Sequence, residues 1–176
     1  MRYALLALAL LAAPALAQTA EPSPEAADLG TVLTPAEAAV QATIQEDGLH
    51  VVHFWAPWCD NSIAELRNGW YEVIEANPDV SFTFVTIWSD GAPARDVLER
   101  YAIPESVTVL AQEDPGPSAV EANRRRHFLG LPVTWIPTTW VFRNRGQLAY
   151  AFNYGELEMP QLQQALDGAR SDWPHD

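Results

Sequence analysis

The stretch "FWAPWCDNSIAEL", residues 54–66, decides how this chain is read. It carries an apolar strand into a segment with helical spacing, and Cys59 sits at the junction. Cys59 is the only cysteine among 176 residues. Reactive thiols at such turns commonly stand in pairs three residues apart. Here the partner position holds Ser62. Whatever chemistry the turn performs has one sulfur to work with.

Working outward, "LHVVHFW" (Leu49–Trp55) is a β-branched and aromatic run of buried-strand character. Past Cys59, the apolar residues Ile63, Leu66, Trp70, Val73 and Ile74 recur at helical spacing and predict one helix that ends before Asn77-Pro78. Upstream, Thr34 as N-cap, Pro35 at the first helical position and Glu37 two residues later predict a helix to about Glu46. Downstream, strands are expected at 80–88 and 107–111 with a helix at 93–102 between them. The turn-forming "EDPGP" then precedes a helix at 118–128. A strand at 139–142, a turn at Asn144-Arg145-Gly146 and a return strand at 147–153 form a hairpin. Pro160 opens a last amphipathic helix through Leu162, Ala165 and Leu166. Strands alternating with helices, then a closing hairpin, imply an α/β sheet covered on both faces.

Hydrophobic residues make up 48% of the chain and charged residues 19%, a globular balance. The formal net charge is −13, and all ten basic residues are Arg. Such acidity argues against nucleic acid or an anionic membrane as partner. Residues 1–17 read as a signal peptide: Arg2 supplies a short positive region, residues 4–13 are apolar, and Ala15-Leu16-Ala17 is a small-x-small cleavage site. The apolar run is shorter than the roughly 20 residues a membrane span needs, and Pro14 interrupts it. Gln18 in place of a cysteine argues against lipidation. The expected localisation is the periplasm, with no membrane insertion after removal of the signal. Loss of Arg2 takes the charge from −13 to −14. Residues 18–31 form a Pro-, Ala- and acid-rich lead-in without periodicity, and 171–176 a C-terminal tail.

Two segments together resemble a known family. "VVHFWAPWCDNS" followed by an amphipathic helix resembles the active-site segment of thioredoxin-fold proteins. "IPTTWVFRNRGQL", residues 136–148, resembles their second signature, in which a cis proline precedes a strand and hairpin and faces the redox cysteine. The "PTT" and "RNRG" form is most similar to the TlpA-type periplasmic thiol–disulfide oxidoreductases, whose extra strand and helix fit the long stretch between Trp88 and Pro137. The resemblance implies a thioredoxin-like domain over residues 32–170, with a central mixed sheet flanked by helices on both faces. It places Cys59 at the nucleophilic thiol, Pro137 at the cis proline and Trp58 beside the thiol. Trp135 and Ile136 then border a substrate groove. This chain departs from the pattern at Ser62, which replaces the resolving cysteine, and at His53, where relatives often carry Asp or Asn.

A helix N-terminus presents free N–H groups and favours thiolate over thiol. Asp60 works both ways there, repelling an adjacent thiolate while complementing the helix dipole. In a dithiol enzyme the second cysteine attacks the mixed disulfide from within, with effective molarities of about 10⁵–10⁸ M. A serine hydroxyl offers no such attack, so net two-electron redox chemistry by this chain alone is excluded. Monothiol exchange through mixed disulfides remains, with periplasmic protein thiols or disulfides as partners. The alternative is a redox-silent binding module, or a chaperone-like docking protein, that uses the Trp58 and Pro137 groove.

His53 is a possible proton relay, although a satisfied core histidine is the commoner state in a buried strand. His50, His127 and His175 show no paired spacing, so neither a metal nor another cofactor is expected. Arg124-Arg125-Arg126 reads as a solvated helix face. Ala56, where a one-cysteine peroxiredoxin needs Thr, and Asp60-Asn61, where a monothiol glutaredoxin has a Gly-Phe pair, exclude those families. The protein is expected to be a monomer.

Overall fold

In the computed structural model, the residues described are 32–153 and 157–171. The expected signal peptide, the lead-in at 18–31 and the tail beyond Ser171 lie outside them. The chain runs α1 (Pro35–Ile44), β1 (Leu49–Trp55), α2 (Asp60–Leu66), α3 (Trp70–Ala76) and β2 (Val80–Thr86). Then come α4 (Arg95–Arg100), β3 (Thr108–Ala111), β4 (His127–Phe128) and β5 (Leu131–Pro132). β6 (Thr138–Arg143), β7 (Gln147–Phe152) and α5 (Met159–Arg170) complete it.

The main sheet has five strands in the order β3-β2-β1-β6-β7. β1, β2 and β3 are parallel, while β6 runs antiparallel to β1 and β7 antiparallel to β6. The sheet is therefore mixed. Alternate residues of a strand point to opposite faces, and β1 uses both. Val51 and Trp55 pack with Leu66, Trp70, Leu98, Leu162 and Leu166 from α2, α3, α4 and α5. Val52 and Phe54 pack with Ala36, Val40 and Ile44 of α1, and with Phe128 and Trp140. All residues of β1 are buried, which is why its sequence reads as a continuous apolar run. α1 starts where its signals predict: Thr34 Oγ1 accepts from Glu37 N at 3.2 Å, and the Glu37 carboxylate accepts from Thr34 N at 2.9 Å.

Two expected helices differ. The single helix after Cys59 is two, broken between Leu66 and Trp70. Arg67 N and Asn68 N close the first turn-wise on Ala64 O and Glu65 O at 3.1 and 2.9 Å. Gly69 then takes φ +98, a left-handed conformation that ends one helix and reorients the chain for the next. The apolar spacing reads straight through the break because Leu66, Trp70, Val73 and Ile74 all still face the same core.

The second difference lies at 118–128. Only Glu121–Asn123 forms a short 3-10 turn there, and β4 pairs with β5 in a two-stranded ribbon. The backbone groups a helix would use internally go elsewhere. Arg125 N donates to Asp114 Oδ1, and Val133 N donates to Arg126 O, each at 2.8 Å. Phe128 is driven under the sheet, edge-on to Phe54 with ring centroids 4.9 Å apart. Burial of that ring outweighs the helix preference of the Ala- and Arg-rich segment. β2 also stops at Thr86, since Trp88 has φ 55 and turns out of the strand.

Among the described residues no helix is long and apolar enough to cross a membrane. Gly69→Ala tests the helix break. A Cβ there would lie 3.3 Å from Glu72 Oε2 on a backbone at φ +98. The expected loss is about 1–2 kcal/mol in urea unfolding, against less than about 0.5 kcal/mol for the exposed neighbour change Asn68→Ala.

Candidate functional site at Cys59

β1 ends at Trp55, and residues 56–58 turn the chain so that Cys59 becomes the N-cap of α2. The turn is held by its own backbone: Cys59 N donates to Ala56 O at 3.1 Å, and Ile63 N donates to Cys59 O at 3.0 Å. The thiol is half-buried. Its sulfur lies 3.8 Å from Ile136 O, the carbonyl just before Pro137. The Ile136–Pro137 peptide bond is cis. β1 and β6 are neighbours, so the loop that ends β1 and the loop that begins β6 meet at the same end of the sheet.

Cys59 opens into a cleft of about 330 Å³. Trp58, Trp135 and Ile136 line it, together with Trp88, Arg124 and Arg126. Trp58 and Trp135 are large exposed apolar residues at 51% and 43%. Trp58 is not loose, however: its indole N–H donates to Trp88 O at 2.8 Å. Trp88 Nε1 in turn donates to Arg125 O at 2.8 Å. The Arg124 guanidinium lies over both rings, 5.2 Å from the Trp58 centroid and 5.5 Å from that of Trp88. Arg124 is thus part of the cleft wall and not of a solvated helix face. Arg126 pairs with Glu121, and Arg125 Nε donates to Glu113 O at 2.8 Å. Arg124 and Trp88 were invisible as site residues because their segment reads as helix and strand, while the turns that aim them come from long-range contacts.

Ser62 and His53 lie beneath this surface, outside the cleft lining. Ser62 is fully buried, and its hydroxyl accepts from Ala56 N at 3.3 Å, so it braces the Cys59 turn. His53 is also fully buried. Its Nδ1 lies 2.9 Å from Oγ1 of Thr139, its register partner on β6. Glu65 of α2 brings Oε1 to 3.6 Å from the same nitrogen, and its Oε2 accepts from Leu157 N at 3.0 Å. The Trp70 and Phe84 rings flank the imidazole at 4.7 and 4.8 Å. Sequence reading missed Glu65. The available signal was its place on the inward side of α2, three residues after Ser62 and next to Leu66, all of them buried.

Burial lowers the His53 pKa from 6.5 to about 3, in spite of the nearby carboxylate. The imidazole is therefore neutral at pH 7. Among the described residues, no group of three or more His, Cys, Asp or Glu could hold a metal ion.

No family model matches the chain, and no curated protein does. Solved structures do. A secreted Mycobacterium tuberculosis disulfide oxidoreductase homologous to E. coli DsbE aligns at 22% identity over 72% of this chain and 85% of its own, with a TM-score of 0.53. M. tuberculosis DsbF aligns at 24% identity over 69% of this chain and 81% of its own, TM-score 0.51. A thioredoxin-family thiol:disulfide interchange protein from Chlorobium tepidum aligns at 15% identity over 73% and 83%, TM-score 0.51. The fold is thioredoxin-like. At these identities the likeness speaks to architecture, and the chemistry has to come from the residues.

His53 gives a pH test. Between pH 6.5 and about 3 the unfolded chain binds a proton at this imidazole that the folded chain excludes. Its share of stability is therefore complete above about 6.5 and lost progressively as pH falls through that window. Urea unfolding of wild type and His53→Asn from pH 7 to 4 should give profiles whose slopes differ by about 1.4 kcal/mol per pH unit below pH 6. Parallel profiles would mean that the folded protein protonates His53 as readily as the unfolded chain.

Proposed function

We propose that this chain is an exported monothiol exchange protein, acting in the periplasm on protein thiols and disulfides through mixed disulfides at Cys59. The observation that carries the reading is the half-buried Cys59 sulfur, set in an apolar cleft 3.8 Å from Ile136 O with a serine one turn on. The thioredoxin-like fold supports it, because two of the solved structures named above on that fold are a disulfide oxidoreductase and a thiol:disulfide interchange protein. One of them is described as secreted, in keeping with the signal-peptide reading of residues 1–17.

The chemistry follows from the count of sulfurs. The Cys59 thiolate attacks one sulfur of a partner disulfide in line, the partner's S–S bond breaks, and its other sulfur leaves as thiolate. A bond now joins Cys59 Sγ to the partner. Ser62 cannot open that bond: an alcohol is hardly ionised near neutral pH, and its hydroxyl already accepts from Ala56 N. Release therefore waits for a thiolate from another molecule. Trp58, Trp135 and Ile136 give an unfolded or extended partner an apolar surface beside the sulfur. Pro137 holds the carbonyl of Ile136 against it. His53, neutral and outside the cleft, is not needed in this scheme as a proton relay.

Two measurements test the proposal. Wild type should be alkylated in the native state and should accumulate a mixed disulfide with a disulfide-containing substrate, turning over only when a small thiol is added. Cys59 inert to alkylation until the protein is denatured would instead favour the redox-silent binding module. Ser62→Cys should supply the missing internal attack and raise insulin reduction without added small thiol by at least about tenfold. If that variant forms the Cys59 bridge and still fails to reduce insulin, the cleft is built for binding alone.

A further inference from the structure

We propose that the external thiol that frees Cys59 is a small thiol carrying a carboxylate, and that Arg124 is the residue that recognises it. This rests on the exchange reading above and names the second substrate of that same site. The cleft beside Cys59 has the volume of a small-molecule site at the lower end of the usual range, about 300–1,000 Å³, at about 330 Å³. Its charge is set by Arg124 and Arg126 against one carboxylate, Glu121. Arg126 is taken up by Glu121. Arg124 is not: its Nε donates to Ser118 O at 2.8 Å, and its two terminal nitrogens meet no carboxylate within 4.0 Å and no hydrogen-bond acceptor among the described residues. In a chain of net charge −13, Arg124 is a cation of the thiol's cleft that makes no ion pair, with Asp114 felt only as a more distant charge.

The placement of Arg124 is also rigid. Trp58 and Trp88 hold its guanidinium at 5.2 and 5.5 Å, and both indoles are fixed by their own hydrogen bonds. A planar guanidinium stacked this way keeps its outer edge free to take a carboxylate through two parallel N–H bonds, a match a lysine cannot make. Trp58 is the residue next to Cys59, so a carboxylate on Arg124 brings the thiol of the same small molecule to the sulfur.

The cycle balances. A small thiolate attacks Cys59 Sγ in the mixed disulfide, and the partner's sulfur leaves as thiolate and takes a proton from solvent. Cys59 is now joined to the small thiol. A second small thiolate attacks the small molecule's sulfur, releasing Cys59 as thiolate and forming the small disulfide. In sum one partner disulfide is reduced to two thiols and two small thiols are oxidised to one disulfide.

The test uses full-length mature protein with Cys59 joined to a neutral cysteine peptide. Release is timed with 3-mercaptopropionate, 2-mercaptoethanol and cysteamine at equal thiolate concentration. Each rate is divided by that for the same thiol acting on a free peptide–peptide disulfide, which removes intrinsic nucleophilicity. The carboxylate thiol is expected to gain about five- to tenfold over the neutral one, with cysteamine below both. The advantage should shrink as salt is raised. It should fall to about one in Arg124→Gln and be partly kept in Arg124→Lys. A ratio near one in wild type overturns the inference, as does an undiminished ratio in a folded Arg124→Gln. If that variant does not fold, the wild-type ratio and its salt dependence decide. A preference confined to an acidic cysteine peptide, absent for the small thiols, also overturns it. Exchange without charge preference sinks this inference alone, whereas a Cys59 that forms no mixed disulfide with any reagent sinks the exchange reading too.

Discussion

Strand β1 is paired along both edges and covered on both faces, so nothing along it can turn to water. That constraint organises the molecule. It demands a helix layer on each side, and residues of β1 alternate between α1 on one face and α2, α3 and α5 on the other. It also means that a polar side chain on the strand meets other protein groups and not water. His50 does so at Glu46 O, and His53 does so at Thr139 and Glu65. The strand can end only where the layers end, and there Cys59 emerges. The position of the thiol is thus a consequence of the packing behind it.

Ser62, one turn beyond the thiol, is not idle. Its hydroxyl is the acceptor for Ala56 N, one of the backbone groups left over where the strand has stopped and the helix has not started. Trp58 performs a similar service on the outer side by reaching Trp88 O. The loop that carries Cys59 is therefore fixed from within by a side chain of α2 and from without by a residue just past the end of β2. Under the exchange reading proposed above, such a fixed mount holds the single thiol ready for a second molecule.

Much of this was legible in the residues. The apolar run of β1, the Thr34-Pro35-Glu37 helix start and the hairpin around Gly146 were readable because each is a local rule expressed over a few residues. Cys59, Ser62, Trp58 and Pro137 could be singled out for the same reason: they belong to short ordered motifs. What escaped depends on distance in sequence. The helix break at Gly69 hides inside a stripe of apolar residues that remains in phase. Residues 121–128 have helix-forming composition, and only Phe128 meeting Phe54, and Asp114 meeting Arg125 N, reveal a turn and ribbon. Glu65 looks like any helix glutamate until His53 and Leu157 N are seen opposite it.

The segment between β2 and β6 enters the main sheet only through β3, at its edge. β2 and β6 each pair with β1 independently, so their registers do not depend on what joins them. Yet this same segment supplies Arg124, Trp135 and much of the wall around Cys59. The segment therefore has two kinds of position. Phe128 and Val133 are buried with Val40 and Phe54, and Leu129 N donates to the Glu37 carboxylate of α1, so these residues belong to the scaffold. Arg124 and Trp135 face the cleft instead, and change at such positions alone can reshape the wall beside the sulfur while the pairing of β1 with β2 and β6 stays as it is.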